Sequence, residues 1–340
     1  MSVPANASDA GAGIAAPRID RIPILLLVAL MAIAVPLVGS GSTWLTLTAA
    51  GLAMGMILFI VAAGLMLVFG LMDVLNFAHG VFIAIGGYLA ATILTALSSA
   101  VSRGGLALAL GAIFAAIFAA LGVAAVVGLV FERFVVRPAY GRHLTQILVT
   151  MGGMIVGEEL IKAIWGAQLI PVPLPDMLRG AVLVGGAAVE KFRLLAVVVG
   201  LVVLAALGWT LNRTRIGLLV RAGVEDREMV ESLGYRVRRL FVGVFVAGAA
   251  LAGAGGALWA MYQQGVVPQM GSQINVLIFI VVIIGGLGST LGCLVGAMMV
   301  ALVANYTGFL LPKAALFSNI ALMVAILLWR PRGMYPLGGR

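Results

Sequence analysis

Residues 45–71 read LTLTAAGLAMGMILFIVAAGLMLVFGL, a run without one formal charge. A helix needs about 20 apolar residues to cross the hydrocarbon core of a bilayer, and this run exceeds that length. Nine further apolar runs accompany it, at about 22–38, 78–97, 106–131, 144–164, 194–211, 240–261, 274–291, 293–310 and 316–329. Of the 340 residues, 63% are hydrophobic and 10% charged, and the mean hydropathy is +1.19. A soluble domain carries about 25% charged residues, so a water-soluble fold is excluded for want of polar surface to cover it. The runs predict an all-α polytopic membrane protein of ten crossings, or eight if 274–310 forms one hairpin that does not span. Ten crossings take about 200 residues and leave about 140 for loops and tails; no soluble catalytic domain fits, because the longest stretches without a strong apolar run are the N-terminal tail and the loops near 165–193 and 212–239. The expected organisation is a tail at 1–21, a transmembrane domain over 22–329 with a polar loop at 212–239, and a tail at 330–340. The run 22–38 is read as an uncleaved first helix, because the residues after Val38 match a small-x-small cleavage site poorly.

The formal net charge is +9, and its placement matters more than its sum. Basic residues gather at the ends of apolar runs: Arg18 and Arg21; Arg133, Arg137 and Arg142; seven arginines from Arg213 to Arg239; and Arg330, Arg332 and Arg340. With the N-terminus inside, these fifteen of the 21 basic residues face the cytoplasm, as the positive-inside rule favours. Both termini are then cytoplasmic and the number of crossings even. Aromatics near the basic clusters are few, so nucleic acid is a poor explanation of the charge. The single cysteine, Cys293, excludes an intramolecular disulfide and a Cys-based metal site; among Leu291, Gly292, Leu294 and Val295 it reads as a small buried residue.

Three stretches depart from membrane composition. Asp73-Val74-Leu75-Asn76-Phe77-Ala78-His79-Gly80 joins two long runs and is placed by the crossing order at the inner face. It reads either as a solvated turn with Asn76 capping the next helix or as a packing element that shapes a pathway. A metal or proton-relay role for His79 lacks a second ligand at suitable spacing. Glu158, Glu159 and Lys162 interrupt the fifth run, and their i,i+4 and i,i+3 spacing lets Lys162 reach both carboxylates. They form either an interfacial ion pair or a polar patch at the outer mouth of a pathway, suited to a zwitterionic or charged solute. In the loop 212–239, residues 225–233 read as a short helix with acids at its start and Gly234 ending it in a left-handed conformation. Met229, Val230 and Leu233 give it an apolar face too small to hide alone, and the acids Glu225, Asp226, Glu228 and Glu231 weaken attraction to anionic lipid. Docking into a groove of a cytoplasmic protein is the better reading. Glycines inside the runs, among them Gly86, Gly87, Gly253, Gly255, Gly256, Gly285, Gly286 and Gly288, let helix backbones approach closely.

Together these motifs resemble the permease subunit of branched-chain amino-acid ABC importers, the Liv type, over about residues 45–334. Leu75-Asn76-Phe77-Ala78-His79-Gly80 followed by Gly86-Gly87-Tyr88 is similar to the signature of the first of that family's two permease subunits. Thr214-Arg215-Ile216-Gly217, Arg221-Ala222 and Asp226-Arg227-Glu228 through Leu233-Gly234 resemble its cytoplasmic coupling loop. Gly285-Gly286-Leu287-Gly288-Ser289 and Arg330-Pro331-Arg332-Gly333 resemble its late glycine motif and its ending. Val81 departs from the acid that many relatives carry after the His-Gly pair.

The resemblance implies a type II ABC importer fold in a bacterial inner membrane and a subunit without catalysis or cofactor of its own. ATP and Mg belong to two cytoplasmic ATPase subunits, and the chain indeed lacks a Gly-x-x-x-x-Gly-Lys-Ser/Thr phosphate loop. The other implied partners are a second permease subunit, identical or different, and a periplasmic solute-binding protein. Implied coupling residues are Arg221, Ala222, Glu225, Asp226, Met229, Leu233 and Gly234. Candidate pathway residues are Asn76, Phe77, His79, Glu158, Glu159, Gly285, Gly286 and Gly288. Branched-chain or other hydrophobic amino acids are the expected solutes, with urea, short amides or aromatic acids as alternatives. A rival class, the ion-coupled carrier, would have only Asp73, Glu158 and Glu159 as candidate buried carboxylates. For an intramembrane enzyme, His79 and His143 form no catalytic set.

Overall fold

The computed structural model describes residues 20–335 except 73, 104 and 226. Each of the ten apolar runs is helical: α1 (Ile22–Val38), α2 (Gly41–Met72), α3 (His79–Arg103), α4 (Leu106–Phe131), α5 (His143–Trp165), α7 (Lys191–Arg213), α10 (Val237–Gln263), α11 (Met270–Gly285), α12 (Thr290–Leu310) and α13 (Ala315–Trp329). Among the described residues, six helices are long and apolar enough to cross a membrane, the segments Gly41–Gly70, His79–Val101, Leu106–Ala139, Lys191–Arg213, Val237–Gln263 and Thr290–Leu310. α1, α11 and the 317–329 segment of α13 are apolar but shorter.

Burial ranks these helices. The apolar window of α2 is 83% buried and that of α7 only 11%, so α2 is the axis of the bundle and α7 lies on its rim. Side chains from Ile57 to Val68 of α2 are almost wholly enclosed. Lipid gives no hydrophobic drive between helices, so close backbone packing has to hold them. α10 therefore meets α2 and α3 through glycines: a β-carbon on Gly64 would stand 2.4 Å from the Gly248 carbonyl oxygen, and one on Gly256 2.0 Å from that of Ile83.

At one end of the bundle the residues flanking α1 and α13 gather beside the α11–α12 turn. Gly70, near the end of α2, packs on Gly288 in the turn between α11 and α12, and Gly333 packs on Gly286 in the same turn. Met334 N–H donates to Ile284 O at 2.8 Å. Arg330 Nη1 lies 2.6 Å from Asp20 Oδ2, and Tyr335 Oη donates to Asp20 O at 2.6 Å. The residues just before α1 and just after α13 thus sit side by side.

At the opposite end, the loop 165–193 is structured. β1 (Ile170–Pro171) pairs antiparallel with β4 (Gly265–Val266), and α6 (Asp176–Arg179) precedes a hairpin of β2 (Ala181–Val184) and β3 (Ala187–Glu190). Gly185 and Gly186, both at positive φ, make the two-residue turn.

The loop 212–239 differs from expectation in two ways. It holds two helices, α8 (Arg215–Glu225) and α9 (Arg227–Ser232), where one over 225–233 was expected. Val230 belongs to the inside at 2% exposure, so the exposed apolar side chains of α9 and the residue after it reduce to Met229 and Leu233. Gly234 does adopt the left-handed conformation, at φ +86°.

Candidate functional site

α2 does not hand over to α3 at the end of the bundle. Residues 74–76 run without helix, 77–78 turn, and α3 begins at His79 with its imidazole fully enclosed. His79 Nε2 is 3.2 Å from Val61 O, eleven residues back from the end of α2, or about 16 Å at 1.5 Å per residue. The chain therefore leaves α2 and climbs back into the bundle before α3 starts. This corrects the solvated-turn reading: Asn76 is fully buried and its side chain caps nothing, while its backbone oxygen accepts the His79 N–H at 3.3 Å. Irregular backbone at membrane depth is tolerated only where protein or a cavity satisfies it, so its polar groups need partners.

Two come from other helices. Thr150 of α5 accepts the Phe77 N–H at 3.3 Å and donates to Gln146 O at 2.8 Å, with Leu75 O at 3.4 Å. Asn275 of α11 donates through Nδ2 to Phe77 O at 2.8 Å. The Phe77 ring packs on Phe279, one turn beyond Asn275, with centroids 5.0 Å apart. Gln146, Thr150, Met154 and Glu158 follow at four-residue steps, so α5 turns one stripe toward this linker and α3.

Partnership is incomplete. Both amide atoms of Asn76, Oδ1 of Asn275, Oε1 of Gln146 and Nδ1 of His79 are buried without a hydrogen bond. Because Val61 O can only accept, His79 carries its proton on Nε2 and leaves Nδ1 as an uncovered acceptor. Buried polar atoms are nearly always satisfied by protein or ordered water, so these five atoms around the helix break are an unusual feature of the bundle.

The other expected site residues fall in three places. Lys162 Nζ reaches Glu158 at 3.2 Å and Glu159 at 2.8 Å, as the spacing predicted. Glu158 also lines a small cleft with Gly80, Val81, Met154, Gly271 and Ser272, whereas the Glu159 side chain is 66% exposed. Gly285, Gly286 and Gly288 build the tight α11–α12 turn, with Gly286 and Gly288 at positive φ and Ser289 capping α12 through the Gly292 N–H at 3.1 Å. They lie far along α11 from the Asn76 linker, beside Gly333 and Met334.

α8 and α9 form a separate element. Val220 of α8 is wedged with Leu67 of α2 and Val244 of α10, backed by Leu207 and Leu211 of α7. Met229 and Leu233 stay 47% and 67% exposed, and Ala222 is half-buried. Asp226 lies outside the described residues, as do the side chains of Arg221 and Glu225; Asp73 lies outside them too.

Thr150, Gln146 and Asn275 were missed by sequence reasoning. The available signal was a pair of polar residues four apart at 146 and 150, and a lone Asn at 275, inside otherwise apolar runs.

A family model described as branched-chain amino acid transport system / permease component matches residues 47–328. The chain is 26% identical over 292 residues to the high-affinity branched-chain amino acid transport system permease protein LivH of Escherichia coli (strain K12), covering 84% of this chain and 92% of that protein. The corresponding protein BraD of Pseudomonas aeruginosa is 29% identical over 293 residues, covering 84% and 93%. A probable LivH of Methanocaldococcus jannaschii is 27% identical over 301 residues, covering 82% and 88%. No solved structure matches the chain.

Proposed function

Because the chain belongs to the family of branched-chain amino acid transport permease components, we propose that it is a membrane subunit of an ATP-driven importer for branched-chain or related hydrophobic amino acids. It forms the pathway together with a second permease subunit, receives solute from a periplasmic binding protein, and is driven by two cytoplasmic ATPase subunits that hold the ATP and Mg. Its helices cross a bacterial inner membrane ten times with both termini cytoplasmic. The Asp20–Arg330 pair supports an even number of crossings, since it holds the two ends of the helical body at one face. The pathway runs past the Asn76–His79 linker, with Glu158 toward its outer mouth.

The α8–α9 element is the observation that carries this reading. Val220 and Val230 are anchored in the body while Met229 and Leu233 of the same element face outward. A helix that exposes apolar side chains but is rooted against α2, α7 and α10 suits a docking element that passes movement inward. The ATPase subunit closes on ATP, displaces α9, and α8 carries that displacement to α2, whose end leads into the linker.

The test is Met229→Asp and Leu233→Asp in the complete complex, reading ATPase recruitment and leucine uptake. Both are expected to fall at least about ten-fold, because a charge in a desolvated contact costs more than about 1.4 kcal/mol. Wild-type values for both would overturn the assignment. Uptake that an uncoupler abolishes while ATP is held constant would point to an ion-coupled carrier.

A further inference from the structure

α3 begins at His79 and α11 at Met270, and their second residues, Gly80 and Gly271, lie backbone against backbone. A β-carbon on Gly80 would stand 2.7 Å from Gly271 O, and one on Gly271 2.1 Å from Gly80 O. Each helix start carries about half a positive charge. Holding two together away from bulk water favours an anion between or beside them.

Unpartnered amides at the same junction give this charge a ligand. Asn76, three residues before α3 and fully buried, has an amide nitrogen and an amide oxygen with no partner. Asn275, one turn into α11 and 3% exposed, commits its nitrogen to Phe77 O and leaves Oδ1 open. Gln146, 3% exposed on the α5 stripe, leaves Oε1 open. The junction therefore offers one free donor beside two positive helix ends, and three free carbonyl oxygens. A single anion would satisfy the first set and leave the oxygens unpaired; a single cation would do the reverse. A group that carries both charges a few ångströms apart satisfies them together.

We propose that the α3–α11 junction binds the zwitterionic head group of an amino acid in transit. The carboxylate lies toward the helix starts and Asn76 Nδ2, and the ammonium toward the open oxygens of Asn76, Asn275 and Gln146. The Phe77–Phe279 pair supplies an apolar wall for the solute side chain, and the cleft at Glu158 is the approach. This rests on the importer reading above and adds to it a recognition step inside the membrane subunit.

The experiment measures binding of radiolabelled L-leucine to the full permease–ATPase complex in lipid nanodiscs, without binding protein, and its displacement by leucine methyl ester, which keeps the ammonium but has no free carboxylate. Wild type should bind leucine saturably and the ester at least about ten-fold more weakly. Asn76→Asp places a carboxylate against the solute carboxylate while still accepting from the ammonium. Leucine affinity should fall about ten- to hundred-fold, the size of effect expected for hydrogen bonds to a charged group, and ester affinity should hold or rise. If the complex carrying Asn76→Asp does not assemble, Asn275→Asp is used instead: its carboxylate faces the ammonium that both ligands carry, so leucine and ester should both bind more tightly. Parallel loss of both ligands means a structural role only and overturns the proposal, as does no change in either. A complex that transports leucine with its binding protein yet shows no saturable binding also overturns it, since the junction then holds water alone. A complex that takes up no amino acid with ATP overturns the importer reading itself.

Discussion

Thr150 of α5 accepts the Phe77 backbone N–H at 3.3 Å, so a helix from the middle of the chain closes a gap that the α2–α3 break opens. The same hydroxyl donates to Gln146 O. Valine has the shape of threonine without the acceptor, so Thr150→Val leaves a buried N–H unpaired at a cost of about 1–3 kcal/mol. Thermal unfolding of the purified protein should show a lowered midpoint for Thr150→Val and a near-normal one for Thr150→Ser, which keeps the oxygen. Equal midpoints for the two variants would remove Thr150 from the support of the linker.

Gly86 and Gly208 both lie inside apolar helices yet should respond oppositely to alanine. A β-carbon on Gly86 would stand 2.0 Å from Gly253 O, which is backbone and cannot swing aside, whereas nothing lies within 4 Å of one on Gly208. Gly86→Ala should therefore force α3 from α10 and cost at least about 1–3 kcal/mol, or prevent accumulation. Gly208→Ala should be neutral or stabilising by up to about 1 kcal/mol, through helix propensity and a less flexible unfolded chain. Midpoints measured in one detergent decide it; a tolerated Gly86→Ala would mean the α3–α10 contact is looser than described.

These contrasts bear on what could be read beforehand. The charge-free run at 45–71 marked the central helix because burial on all sides leaves no polar face to interrupt it. Lys162 and its two carboxylates were legible because i,i+3 and i,i+4 neighbours meet on any helix. The course of residues 74–78 was not, because local pattern shows only where a helix stops. Whether the chain then turns in solvent or re-enters the bundle depends on Thr150 and on Asn275, the latter 198 residues away from its bonding partner. α8 escaped notice because its buried face is Gly217, Val220 and Gly223, and two glycines lower helix propensity.

The pairing of Asp20 with Arg330 has a pH signature. The Ile22 N–H and then the Arg330 guanidinium hold the Asp20 carboxyl below its ordinary value of 3.8. A depressed acid contributes fully above its unfolded value and loses that contribution as pH falls through the folded one. The clasp should thus be intact at neutral pH and through mild acid, and release only below about 3.8. Asp20→Ala removes the charge and the side-chain acceptor at all pH values and should release it at pH 7. Hydrogen exchange at Ile22 reports this, since its N–H donates to Asp20 Oδ1 at 3.0 Å. Unchanged protection of Ile22 in Asp20→Ala would show that the start of α1 is held by other contacts.

Leu287 decides between ten crossings and eight. If α11 and α12 each span, the turn 286–288 lies in the cytoplasm with the C-terminal residues; if 274–310 is a hairpin that fails to span, the turn lies outside. Packing of Gly286 on Gly333 and of Gly288 on Gly70 ties the turn to the ends of α2 and α13, which favours ten. Leu287 is 44% exposed, Tyr235 51% and Leu183 76%, so a cysteine at each can meet a membrane-impermeant maleimide. Cys293 is fully buried and serine there gives a silent background. Leu183→Cys should label in intact cells, because β2 stands at the end opposite the Asp20–Arg330 pair. Tyr235→Cys and Leu287→Cys should label only after permeabilisation. Labelling of Leu287→Cys in intact cells, with Tyr235→Cys still protected, would leave α11 and α12 as a non-spanning hairpin and fix the count at eight.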